Sequence, residues 1–278
     1  MIFSNQFEYG PSSSISVYRR NFNDLVKGIY RKKLVFRLGL TDITQRYRNT
    51  YLGPFWMTIS LSVFLSVLGY VGGALFNIGL EEYLPYLCLG VLLWTFISSV
   101  ISESGQLYIL APISTVSYDV PMSTFVYSFL VKHTILLAHN LLLYFVIAAY
   151  FKINFLAQLP FVIIGMLILM LFCLGITFLL AVVCTKLRDI PQIVANLLQV
   201  SFFVTPIMWN AELLAEKGRK AILDFNPFYY LLEVVRAPML GQTLGIKFYL
   251  ISIAIASVTL VLGISIFIRY RHRVMFFR

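Results

Sequence analysis

The sequence predicts an all-α integral membrane protein: six transmembrane helices, an N-terminal amphipathic interface helix, and short re-entrant helices before the last span. Three observations predict it. Of the 278 residues, 59% are hydrophobic and only 12% are charged; mean hydropathy is +0.83. Soluble domains run nearer half apolar and a quarter charged. The apolar residues gather into runs of the ~20 residues that a ~30 Å hydrocarbon core requires. The lysines and arginines flank those runs, as topology signals do.

Taken in order, residues 1–21 read as a flexible polar lead, with Gly10, Pro11 and a serine cluster. The basic-then-apolar opening of a cleavable signal peptide is not visible there. Residues 22–50 read as one or two basic amphipathic helices. Leu25, Ile29, Phe36, Leu40, Ile43 and Tyr47 recur at helical spacing, and Arg31, Lys32, Lys33, Arg37, Arg46 and Arg48 fill other positions. Such a helix lies in the interface plane with its cations near anionic headgroups; the plainer reading is a solvated juxtamembrane linker.

The spans are expected at 54–77, 84–101, 123–150, 157–185, 191–209 and 248–268. Glu81 and Glu82 mark a short acidic turn between the first two. Residues 102–121 mix polar and apolar and suit a short helix outside the bilayer. Residues 210–247 are too long for a turn and too polar to cross. The chain is therefore a single domain: lead and interface helix in 1–50, five helices in 54–209, the segment 210–247, then helix 6 and a basic tail in 248–278.

Net charge is +10. On a soluble protein that points to nucleic acid; here the cations flank apolar spans, which argues against nucleic acid and for membrane lipids as the partner. Fifteen of the 22 lysines and arginines fall in the N-terminal region, the 186–188 turn and the tail, against six at the other end. Both termini are thus expected in the cytoplasm, which requires an even number of spans.

Catalytic chemistry is not legible. There is no HExxH, no GxSxG, no metal-spaced cluster and no GxxxxGK[ST] phosphate loop, so no cofactor is expected and ATP has no site on this chain. Cys88, Cys173 and Cys184 read as small apolar filler. His139-Asn140 lies inside helix 3 and either faces a cavity or makes an interhelical hydrogen bond. Lys132-His133 is expected to snorkel to the inner interface. The most specific feature is 210–247. Asn226-Pro227 and Ala237-Pro238 punctuate it, and Glu233 and Arg236 stand at i, i+3 on a short helix between them. The pair neutralises itself in a partly buried setting. Broken backbone at membrane depth is tolerated only against protein or a cavity, so the segment either closes the mouth of a pathway or caps the bundle. The many aromatics, Trp56, Tyr229 and Tyr230 among them, offer faces on which sugar rings slide.

Four motifs carry a family resemblance. The run Arg46-Tyr47-Arg48-Asn49-Thr50-Tyr51-Leu52-Gly53-Pro54-Phe55-Trp56 resembles the entry to the first span of ABC-2 type permeases, more narrowly the polysaccharide and O-antigen export permeases. His139-Asn140, Arg188-Asp189-Ile190, and Asn226-Pro227 with Glu233 and Arg236-Ala237-Pro238 match further family motifs in the same order. The resemblance implies a homodimer paired with two copies of a separate ATPase subunit, ATP and Mg being held by that partner. It implies export of an undecaprenyl-diphosphate-linked polysaccharide across a bacterial inner membrane. It also makes 22–50, 105–118 and 186–191, with Arg46, Arg48, Arg188 and Asp189, the surfaces coupled to the ATPase. Residues 213–241, with Pro227, Glu233, Arg236 and Pro238, become a periplasmic gate. Competing readings are an ABC-2 permease for capsule, teichoic acid or a drug, an intramembrane enzyme acting on lipid-linked sugars, and a scaffold.

Overall fold

The computed structural model describes residues 14–110, 120–211 and 221–274. Two helices open it, α1 (Ser14–Tyr30) and α2 (Lys32–Arg46). The long helices follow: α3 (Phe55–Phe76), α4 (Leu80–Ser104), α6 (Met122–Tyr150), α7 (Leu159–Lys186) and α11 (Ile246–Val274). Between them lie α5 (Leu107–Leu110), α8 (Ile190–Val204), α9 (Ala221–Asp224) and α10 (Pro227–Met239).

Five of these helices are long and apolar enough to cross a membrane. The expected span over 191–209 is shorter than its run of apolar residues. Helix α8 holds 15 residues, about 22 Å, short of the ~30 Å core. Thr205 leaves the helix in an extended conformation, and Pro206 has no N–H with which to carry it on. The next residue, Ile207, is fully buried, against Gly90 of α4.

The remaining boundaries move for local reasons. Glu81 and Glu82 form the first turn of α4 rather than a loop, where carboxylates complement the helix dipole. The loop itself is only residues 77–79, and Asn77 closes α3 at φ 55°. The lead is helical from Ser14; residues 1–13, also assigned to it, lie outside the described residues. The expected interface helix is a pair. Its packed face is Asn21, Asp24 and Leu25 in α1 and Val35, Gly39 and Ile43 in α2. Ile29 and Phe36, expected beside Leu25 and Ile43, are exposed. Gly39 sets this face, because it brings α2 against the Ser128 carbonyl and Lys132 backbone of α6. Phe22, Ile29, Phe36 and Leu40 form a second apolar face turned away from the bundle. In 102–121 the described helix is α5, and 111–119 lie outside the described residues.

The core is built around α4, α6, α7 and α10. Helices α7 and α11 cross glycine on glycine: a Cβ on Gly263 would strike the Gly175 carbonyl, and one on Gly175 would strike the backbone at Thr259–Leu260. Lipid tails are as apolar as leucine, so close van der Waals packing at small residues takes the part that burial plays in water. Helix α10 reaches α7 in the same way, with the Val234 carbonyl over Gly165. A smaller cluster (Leu25, Tyr108, Met122, Phe178, Phe267) holds the terminal helices at one end. The three cysteines are free and buried. By contrast α3 and α8 bury little. Ile59, Val63, Val67 and Val71 on α3, and Ile193, Leu197 and Val200 on α8, are exposed.

Candidate functional site

The described polar groups collect at the two ends of the bundle. At the end remote from the termini, α10 is seated by its own cap. The Asn226 side chain accepts from the N–H groups of Phe228 and Tyr229 (3.0 and 3.4 Å) and donates to Thr205 Oγ1 (2.9 Å). That N-cap joins the start of α10 to the point where α8 ends. Pro227 takes the first helical position, where a missing N–H costs nothing.

Further along α10, Arg236 is fully buried. Its guanidinium pairs with Glu233, donates to the Pro206 carbonyl at 2.6 Å and stacks over Tyr86 at 3.9 Å. Desolvation alone would lower its pKa, but the Glu233 carboxylate beside it outweighs that and raises it above the usual arginine value. The broken backbone after α8 is held from the other side too. Tyr83 donates to the Met208 carbonyl (2.8 Å), and Tyr86 donates to those of Pro206 and Trp209 (3.2 and 3.0 Å). Tyr144 of α6 donates to the Met239 carbonyl at the end of α10. Carbonyls that no helix satisfies thus find side-chain donors, the condition for irregular backbone in a buried setting. Beside this seat opens a cavity of about 470 Å³, walled by Glu81, Glu82, Tyr86, Tyr229, Glu233 and Gln242 among others.

The other end carries two charge clusters. Glu103, closing α4, meets Lys132 at 2.7 Å, Arg46 at 3.3 Å and His133 at 3.3 Å. Lys132 therefore pairs inside the protein instead of snorkelling away, because Glu103 offers a nearer counter-charge. A smaller cavity of about 140 Å³ lies beside this cluster, lined by Arg46, Ser99, Glu103, His133 and Asn140 among others. The second cluster centres on buried Asp24 of α1. Its carboxylate accepts the N–H groups of Met122 and Ser123 at the start of α6 (3.1 and 3.0 Å) and pairs with Arg271 near the end of α11 at 2.6 Å. Asn21 adds a hydrogen bond to the Ile268 carbonyl at 2.7 Å. A carboxylate at a helix N-terminus answers both the unpaired N–H groups and the dipole.

Of the residues singled out in the sequence, Glu233, Arg236, Pro227 and Pro238 come together on α10, with Pro238 buried. Arg46 stands at the end of α2 on Glu103, and Arg48 is exposed two residues on. Arg188 and Asp189 are exposed in the turn between α7 and α8. Asn140 is buried, accepts from Thr58 of α3 at 3.4 Å and also lines the smaller cavity. His139 packs edge-on against Phe55 at 5.0 Å. The three aromatics part company. Tyr229 faces the large cavity, Tyr230 is buried against Phe248, and Trp56 lies half exposed on α3. A buried Tyr230 offers no face to a passing ligand.

Asp24, Glu103 and Tyr86 escaped the sequence reading. The signal for Glu103 and Lys132 was a pair of opposite charges at the ends of two apolar runs, which membrane helices rarely keep without a partner. Asp24 carried none, since it sits among cations on a surface helix.

Five helices long and apolar enough to cross a membrane define an integral membrane protein. The model of the ABC-2 type transporter family matches residues 34–240, and the chain belongs to that family. It is accordingly a permease subunit of a transporter and not an enzyme, and the family implies an ATPase partner. The chain is similar to the O-antigen export system permease protein RfbA of Myxococcus xanthus, 26% identical over 87% of this chain and 94% of that protein. It is also similar to the protein of the same name from Klebsiella pneumoniae, 20% identical over 84% of this chain and 90% of that one.

Proposed function

We propose that this chain is the permease of an ABC exporter that carries an undecaprenyl-diphosphate-linked O-antigen polysaccharide across the bacterial inner membrane. One observation carries the reading: similarity to two O-antigen export permeases over 94% and 90% of their lengths. In this reading the chain is one domain and crosses the membrane six times, the short α8 and the irregular segment after it making the fifth crossing. Both termini face the cytoplasm, supported by the excess of cations there and by the Asp24–Arg271 contact between first and last helices.

The unit is a homodimer, with the weakly buried faces of α3 and α8 meeting those of a second copy. Two ATPase subunits hold the ATP and Mg, and this chain holds no cofactor. Arg46, Arg48, Arg188 and Asp189 receive the ATPase's motion; α10, with Pro227, Glu233, Arg236 and Pro238, gates the periplasmic mouth. Tyr229 flanks that mouth, and Trp56, His139 and Asn140 lie on the α3–α6 side of the path. Closure of the ATPase pair around nucleotide would shift the permease between closed and open populations.

Deleting the chain tests the reading. Lipid-linked polymer should accumulate in the cytoplasm, and the chain should co-purify with an ATPase subunit. Undiminished polymer at the cell surface would overturn it.

A further inference from the structure

The cavity beside α10 does work that the gate does not require. It measures about 470 Å³, within the ~300–1,000 Å³ of small-molecule sites. Apolar ground comes from Ile78, Pro85, Ile153 and Leu240, and polar edges from Gln242 and Thr243. Tyr229 turns into it, and its hydroxyl makes no hydrogen bond within the described residues. A mainly polar wall of carboxylate, amide and hydroxyl groups, with apolar and aromatic patches between them, suits a ring that is apolar on its faces and hydroxylated at its edge.

The charge of the wall narrows the ligand. Glu81 and Glu82 stand exposed on the first turn of α4, and among the described residues neither forms an ion pair. Among the described residues no lysine or arginine lines the cavity; Arg236, behind Glu233, is fully buried, and its charge is already met by Glu233, a carbonyl and the Tyr86 ring. Ionised carboxylates accept hydrogen bonds and donate none. They reward hydroxyl and ammonium groups and repel carboxylates and phosphates. A metal fits less well, since among the described residues no three Asp, Glu, His or Cys side chains come together to hold one.

We propose that this cavity binds one neutral or amino-bearing pyranose unit of the polymer and rejects anionic units. The inference rests on the polysaccharide-export reading and narrows its cargo to neutral or basic glycans. Polyphosphate and uronate chains are disfavoured.

Saturation-transfer NMR on the full-length permease in nanodiscs tests it, with methyl glucoside, methyl glucosaminide and methyl glucuronide as probes. The wild type should give transfer to the first two, strongest to the glucosaminide, and none to the glucuronide. The double variant Glu81→Gln and Glu82→Gln keeps wall shape and sits outside the gate pair. It should equalise the three, and its melting temperature should fall by no more than a few degrees, as two carboxylates leave the start of α4. Equal transfer to all three in the wild type, no transfer to any, or an unchanged preference in the variant would overturn the proposal. Failure of export reading is separate: it appears as continued export after deletion of the chain. Loss of export on deletion with an unchanged probe preference sinks only the cavity.

Discussion

At the end of the bundle remote from the termini, Arg236 has no solvent contact, and its charge meets one carboxylate, one carbonyl and one ring. At the other end Glu103, about a third exposed, faces three cationic or titratable partners from two helices, and Arg46 is more than half exposed. The first arrangement is closed, because the two terminal guanidinium nitrogens each have one fitted acceptor, on Pro206 and Glu233, and the side chain is shut off from water. The second is more open, because water reaches Glu103 and Arg46, although Lys132 and His133 are largely buried. A buried pair fixes a geometry, whereas a screened one permits movement. The molecule thus places its rigid electrostatics around α10 and its adjustable electrostatics where α2 meets α4 and α6.

That contrast is best broken at Glu233. Glu233→Ala strands a buried guanidinium and should cost about 3–5 kcal/mol, read by chemical denaturation in detergent. Pairing it with Arg236→Met should recover most of the loss; no recovery would show that the ion pair is not what holds α10. Gly165→Val tests the same seat without charge. It drives a side chain into the Val234 carbonyl and should cost about 1–3 kcal/mol, with faster proteolysis near α10.

At the other end the expected effects shrink. Asp24→Asn removes the counter-charge of Arg271 and weakens the cap on α6. It should cost about 1.5–3 kcal/mol, seen as faster amide exchange in α1 with α10 unchanged. Exchange rising equally at both ends would contradict the separation of the two regions. Smallest should be Glu103→Gln, within about 1 kcal/mol. Salt should narrow its difference from wild type by screening the native cluster. A loss as large as that of Glu233→Ala would make the two ends electrostatically alike.

The sequence made the long helices legible because hydrocarbon imposes length and composition together; α3, α4, α6, α7 and α11 needed no tertiary information. The Glu233–Arg236 pair was readable for a similar reason, since i, i+3 spacing fixes neighbours within one helix. What escaped depends on contacts between distant segments. Arg236 reaches Tyr86 and Pro206 only once α10 lies on α4, and nothing local in Tyr86 announces it. The packed face of α2 was not legible because a glycine, Gly39, decides it. Periodicity of large apolar residues finds the greasy face, and here that face looks away from the bundle. The end of α8 was misplaced because hydropathy continues past Pro206 while the backbone hydrogen bonding does not.

The Asp24 contact has a consequence for the order in which the protein is made. Its two sets of partners leave the ribosome far apart in time: Met122 and Ser123 after less than half the chain, Arg271 only at the end. The first helix is therefore held provisionally once α6 is in place and locked when α11 arrives. Until then a buried carboxylate lacks its counter-ion. A truncated or stalled chain carries that defect at its beginning.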